Sequence, residues 1–181
     1  ERKEVQAAPA LRELAARRPT AQGRLHALWT LDSLGLLKGA DVALGLSDPE
    51  PRVREQAARL AEARIENDRD LLAKVLPLAV DPDPMVRFQV ALTLGAAGDD
   101  RRALEALATI ATRDAADKWT RAAVMTSVPG RADELLEILA DRDGFLGEPV
   151  GQPWLNDLAT LVGASRDAKR IEALVQGLVD K

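Results

Sequence analysis

The phrase Asp-Pro-acid-Pro-x-Val-Arg occurs twice in this chain. It reads DPEPRVR at Asp48–Arg54 and DPDPMVR at Asp81–Arg87, 33 residues later. Nothing else constrains the fold so strongly, because an internal period of this length belongs to arrays of small supersecondary units. The series also extends beyond the phrase. Arg121 follows Arg87 by 34 residues, and Arg24 precedes Arg54 by 30. After each arginine, small or apolar residues fall at offsets of three, four and seven. They are Ala27, Leu28 and Leu31; Ala57, Ala58 and Ala61; Val90, Ala91 and Leu94; and Val124, Met125 and Val128. That spacing marks one face of a helix, seen four times.

A shorter apolar helix precedes each of the last three: KGADVALGLS, DLLAKVLPLAV and RALEALATIAT. The phrase itself is the turn between paired helices. A residue before proline is pushed out of the α region, so Asp48 and Asp81 end the first helix of their pairs. Pro51 and Pro84 suit the first position of the next helix, where a missing N–H costs little. Asp83 and Asp117 stand where an N-cap accepts from free backbone N–H groups, and Glu50 is a weaker cap in the same place. The spacing predicts units at about 3–35, 38–67, 69–97, 100–128 and 131–165, with a closing helix at 167–180. The whole of 1–181 reads as one repeat domain. The fifth unit is irregular: DGFLGEPVGQPW, Asp143 to Trp154, is a long Gly- and Pro-rich linker. It reads as the atypical join of an end repeat, with a functional loop as the alternative.

Composition agrees with helices. Hydrophobic residues are 46% and charged residues 30%, the balance of a folded domain, while aromatics are only 3% and Tyr is absent. A Leu-, Val- and Ala-rich interior suits close helix packing and fits a sandwich of strands poorly. There is no run of about 18 apolar residues, so no spanning helix is expected. The chain opens on Glu1 rather than Met, as a piece of a longer protein would. There is no Cys, which excludes thiolate zinc sites, disulfides and cysteine nucleophiles in these residues. A net charge of −4 argues against a nucleic-acid backbone as partner.

Two stretches, LSDPEPRVREQAARLAE (Leu46–Glu62) and AVDPDPMVRFQVALTLG (Ala79–Gly95), resemble HEAT-like repeats of the type grouped with phycobilin lyases. The resemblance implies an all-α, right-handed α-solenoid of about five helix-turn-helix repeats plus a closing C-terminal helix. GRLHALWTLDSLG (Gly23–Gly35) and RDAADKWTRAAVMTS (Arg113–Ser127) add a narrower likeness. They are similar to the repeat region of planctomycete proteins that join a sugar-dehydrogenase-like propeller to a cytochrome c-like haem segment. That likeness implies a periplasmic or exported setting. No Cys-x-x-Cys-His occurs here, so a covalent haem would belong elsewhere in such a protein.

The side chains that invite chemistry read as carpentry. Arg24, Arg54, Arg87 and Arg121 could form a basic row for an anion. Asp48, Asp81, Asp114 and Asp117 occupy the neighbouring turns, so struts between units are the better expectation. His26 is the one imidazole, with no partner close in sequence, and reads as structural or surface. Trp29, Trp119 and Trp154 read as packing, with Trp119 part exposed at a helix start. The acid pairs Asp81/Asp83, Asp99/Asp100 and Asp141/Asp143 lack the spacing of a calcium loop and read as helix ends. No catalytic, cofactor or metal residue is expected. The expected function is a non-catalytic scaffold for a protein partner or a neighbouring domain. Its surface is sought two and five residues after each anchoring arginine, at His26, Gln56, Arg59 and Gln89, with Trp119 beside them. Those positions carry no basic stripe, so DNA binding is the weaker alternative. A bilin lyase is the enzymatic one.

Overall fold

The computed structural model describes residues 2–17, 19–142 and 144–179. Eleven helices run through them: α1 (Arg2–Arg17), α2 (Ala21–Ser33), α3 (Gly39–Leu46), α4 (Pro51–Glu62), α5 (Arg69–Val75), α6 (Pro84–Leu94), α7 (Arg101–Arg113), α8 (Lys118–Ser127), α9 (Ala132–Ala140), α10 (Gln152–Ala164) and α11 (Ala168–Val179). No strand occurs among the described residues.

The helices form two stacked rows. The first helices of the units, α1, α3, α5, α7, α9 and α11, follow one another, with the α5–α7 step made through a 3-10 segment at Leu76–Val80. The second helices, α2, α4, α6, α8 and α10, make the other row. The chain is therefore an all-α solenoid in which the units meet in sequence order. The core lies between the rows. All the residues at the offsets of three, four and seven are buried there except Met125, which is half-buried. Leu104, Leu107, Leu135, Leu136 and Leu139 fill the same layer from the first row. Fully burying one such leucine contributes roughly 1.5–3 kcal/mol.

Local rules account for the helix ends. Asp83 accepts from the N–H groups of Met85 and Val86, Asp117 from Trp119, Asp100 from Arg102, and Asp68 from Leu71. Glu50 stands at the N-cap of α4 with no side-chain cap bond. The stretch DLLAKVLPLAV is not one helix. Pro77 lacks the N–H that would continue the α pattern, so α5 stops at Val75 and the chain tightens into the 3-10 segment.

Two hydroxyls tie the second row together. Thr93 donates to the carbonyl of Ala58 at 3.0 Å and Ser127 donates to that of Ala91 at 2.8 Å. Both lie six residues after an anchoring arginine, and both acceptors lie four residues after the preceding one. Alanine at the acceptor positions lets the helices approach closely enough for a short side chain to span the gap.

The Asp143–Trp154 linker is packed. Phe145 is buried within a 3-10 turn at Phe145–Gly147, and Trp154 is fully buried at the start of α10. Asp143 itself lies outside the described residues, as does Asp180 at the end of the expected closing helix.

Candidate functional site

The arginine row is occupied by its own protein. Arg24 grips Asp48 with two bonds of 2.6 and 2.7 Å, Arg54 grips Asp81 at 2.7 and 2.8 Å, and Arg87 grips Asp114 at 2.6 and 2.5 Å. Each pair joins the second helix of one unit to the turn of the next. The remaining guanidinium nitrogen turns back on its own unit. Arg54 Nη1 donates to the carbonyls of Asp48 and Pro49, and Arg87 Nη1 to those of Asp81 and Pro82. One planar fork therefore satisfies a carboxylate and the two carbonyls of a turn, which an ammonium could not do with the same geometry. Asp48 and Asp81 also accept from the backbone N–H two residues on.

These contacts set the charge state. Burial pushes the Asp81 carboxyl up, but the Arg54 guanidinium, the Asp83 N–H and the Arg87 charge together hold it below the usual carboxylate range. Asp48 follows the same balance with Arg24, Glu50 N–H and Arg54. Both are carboxylates locked to cations and have no free capacity for an anion or a proton relay.

Two members of the row differ. Among the described residues Asp117 meets no arginine; it caps α8 and accepts from the Thr120 hydroxyl. It sits at the helix start, three residues past the latch position that Asp114 fills. Arg121 reaches instead to Asp157, inside α10, through a single 2.9 Å bond. The fifth unit has no turn aspartate in the latch position, so its acidic partner comes from the helix. A second set of latches joins first-row helices. Arg12 pairs with Asp41 and Arg170 with Asp133, and each arginine also takes a backbone carbonyl, of Leu36 and Gly130 respectively.

What remains open is the outward face of the second row. A groove of about 710 Å³ crosses α4, α6 and α8, and a neighbouring hollow of about 450 Å³ continues it toward Trp29 on α2. Arg59, Glu62 and Ala96 line both. Its floor is the outer stripe of α6, Met85, Phe88 and Leu92, continued by Ala96 in the turn after it. Met85 is 48% exposed and Trp119, the equivalent residue of α8, is 66% exposed with Lys118 Nζ 5.2 Å from its ring centre. Methionine and tryptophan are residue types enriched at protein interfaces.

The surface expected from sequence coincides with this groove in part. Arg59 lines it. His26 is exposed on α2, outside the lining. Gln56 is half-buried and accepts from the Trp29 indole at 3.2 Å. Gln89 is mostly buried and donates to Thr93, so only its edge reaches the groove. The reason is helix phase. Offsets one and five line the outer side, whereas offset two is half-buried or buried at Gln56, Gln89 and Ala123 and is exposed only at His26 on the end helix. Phe88 and Met85, at offsets of one and minus two, are apolar residues beside the expected positions, and their apolar character in the sequence is the signal that marks them. Among the described residues no group of three His, Cys, Asp or Glu side chains is placed to hold a metal, and no helix is long and apolar enough to cross a membrane.

Residues 40–127, from α3 to the end of α8, match the family model of HEAT repeats. No curated protein and no solved structure matches the chain. The matched stretch, just under half of the chain, holds three helix pairs and the Arg54–Asp81 and Arg87–Asp114 latches between them, so this part of the all-α solenoid is similar to HEAT repeats.

Proposed function

We propose that this protein is a non-catalytic scaffold that binds a protein partner or a neighbouring domain of a longer chain through the outer face of α2, α4, α6 and α8. The observation that carries this reading is the open apolar stripe of Met85, Phe88 and Leu92 beside Trp119. Within the helices of the second row, Met85 and Trp119 are the large apolar side chains that stand exposed, and Phe88 and Leu92 are half-buried beside Met85. The polar groups with chemical potential are already committed: the arginines and aspartates of the turns hold the units together. His26 stands exposed with no side chain bonded to its ring among the described residues. The exposed cations of this face are few, and Arg52 is engaged by Glu55, which supports a protein partner over a polyanion.

A photo-crosslinking amino acid tests the face directly. Placed at Met85 or Trp119, it is expected to give discrete adducts in extracts of the native organism. Placed at Leu44, an exposed residue of α3 in the other row, it is expected to give none. Adducts formed only from Leu44 would remove the reading.

A further inference from the structure

The groove constrains the shape of what enters it. Its polar lining is largely self-satisfied. Gln89 donates to Thr93, Thr126 to the carbonyl of Ala123, and Ser127 to those of Ala91 and Ala123. Glu55 accepts from Arg52 and Gln56. An extended segment laid here would bury its own N–H and C=O groups against Met85, Phe88 and Leu92, where the α6 floor offers them few hydrogen bonds. Each such group left unpaired is costly, about 1–3 kcal/mol. A helix brings its backbone bonds with it. Two lining groups have no partner among the described residues: Arg59 and Glu62, three residues apart on α4 and both exposed. They form a charged rim on one side of an otherwise uncharged floor.

Resting on the proposed binding face, we infer that its occupant is one amphipathic α-helix of a partner protein. The helix is apolar on the side facing α6 and carries an acidic residue against Arg59 and a basic residue against Glu62. A helix of about 18 residues is about 27 Å long. That covers three neighbouring helices packed 8–10 Å apart, the extent of the groove from α4 to α8. The apolar contacts supply the affinity, and the rim charges set direction and register.

The probe is a designed, fluorescein-labelled amphipathic helix with Leu at alternating spacings of three and four, a Glu on one flank and a Lys one turn away. A control replaces two central residues with proline. Anisotropy titration against the full chain is expected to show saturable binding of the helix, weakened by about tenfold or more in the proline control. Met85→Lys and Arg59→Glu are each expected to weaken the helix by about tenfold, with circular dichroism showing both variants folded. A peptide with its Glu and Lys exchanged is expected to recover binding to Arg59→Glu. Equal binding of the proline control, no recovery by the exchanged peptide, or no binding of the helix overturns the inference. A dimer in sedimentation that Met85→Lys dissolves also overturns it, naming a second copy as occupant. If the helix inference falls while binding still depends on Met85, the face survives as a binding surface. Binding indifferent to Met85 removes both.

Discussion

Arg87 is only 6% exposed, yet it is a permanent cation in an Ala- and Val-rich interior. Such a group persists only if every donor finds an acceptor, and Asp114, Asp81 and Pro82 supply them. Removing one partner strands the other in a desolvated place. Arg87→Ala is therefore expected to cost about 2–4 kcal/mol in a urea unfolding curve. Arg121→Ala is the contrast: Asp157 is 47% exposed and makes one bond, so the loss is expected to stay below about 1 kcal/mol. Equal losses at the two sites would show that burial does not set the strength of the latches. The pH dependence follows from the aspartates. Asp48 and Asp81 have folded pKa values below their unfolded ones, which lie near 3.9. Their contribution is complete above about pH 4–5 and is lost as pH falls through the depressed folded values, because the unfolded chain binds protons first. The urea midpoint is expected to drop between about pH 5 and pH 2. It is expected to drop less steeply in an Asp81→Asn variant, which has one fewer linked proton.

At the scale of the helices, close approach decides which substitutions are tolerated. Gly45 sits where a Cβ would lie 2.8 Å from Ala57 Cβ and 2.9 Å from Leu28 Cδ1, so α3 rests almost on the backbone of α4 and against α2. Gly45→Ala improves intrinsic helix propensity by about 1 kcal/mol but forces these contacts apart. A net loss of about 1–3 kcal/mol is expected by thermal unfolding; a gain would mean the helices separate freely. The pairing of helices, the turn prolines and the Asp83 and Asp117 caps were legible in the sequence because each follows from a local rule about backbone N–H groups or φ. The inward stripe was legible because four copies repeat it. The latch pairing was legible only as a class of contact. Arg121 shows why: which carboxylate receives the fork depends on where α10 packs, and no local rule places Asp157 there. Gln89 and Arg59 line the groove, whereas Phe88, one residue from Gln89, is not among the residues expected there; one residue on a helix is a rotation of about 100°. Tertiary packing, rather than the pattern itself, determines which flank of an apolar stripe stays open. Thr93 and Ser127 were invisible for a related reason, since a hydroxyl gives no periodic signal until the neighbouring carbonyl is known to lie within reach.

Over the whole molecule, each unit meets chiefly its neighbours, so stability is close to a sum of units and the interfaces between them. The interfaces are unequal. Between α2 and α8 each step carries at least one strong tie: a two-bond latch at Arg24, Arg54 and Arg87, with the hydroxyl bridges of Thr93 and Ser127 added at the later steps. At the step into the fifth unit Arg131 reaches the carbonyl of Gly98 and Arg142 reaches Thr109 from the side of α9, while the second row has the one-bond Arg121–Asp157 pair. Its compensation is Trp154, fully buried, whose indole N–H donates to the carbonyl of Ala115 in the turn of the fourth unit at 2.9 Å. That bond satisfies a turn carbonyl across the unit boundary, and the ring is buried in the core. Trp154→Phe keeps most of the ring and deletes the donor, so a buried carbonyl loses its partner at a cost of about 1–3 kcal/mol. In a nearly one-dimensional array that cost falls on the local interface. Amide hydrogen exchange is expected to quicken in α9, α10 and α11 while protection in α4 and α6 stays at the wild-type level. A uniform loss of protection along the chain would mean that the units unfold as one cooperative body and that the end unit has no separate stability to lose. The local outcome carries a consequence for binding: the groove from α4 to α8 would keep its shape while the end unit opens, so a partner peptide should bind Trp154→Phe and the wild type with equal affinity.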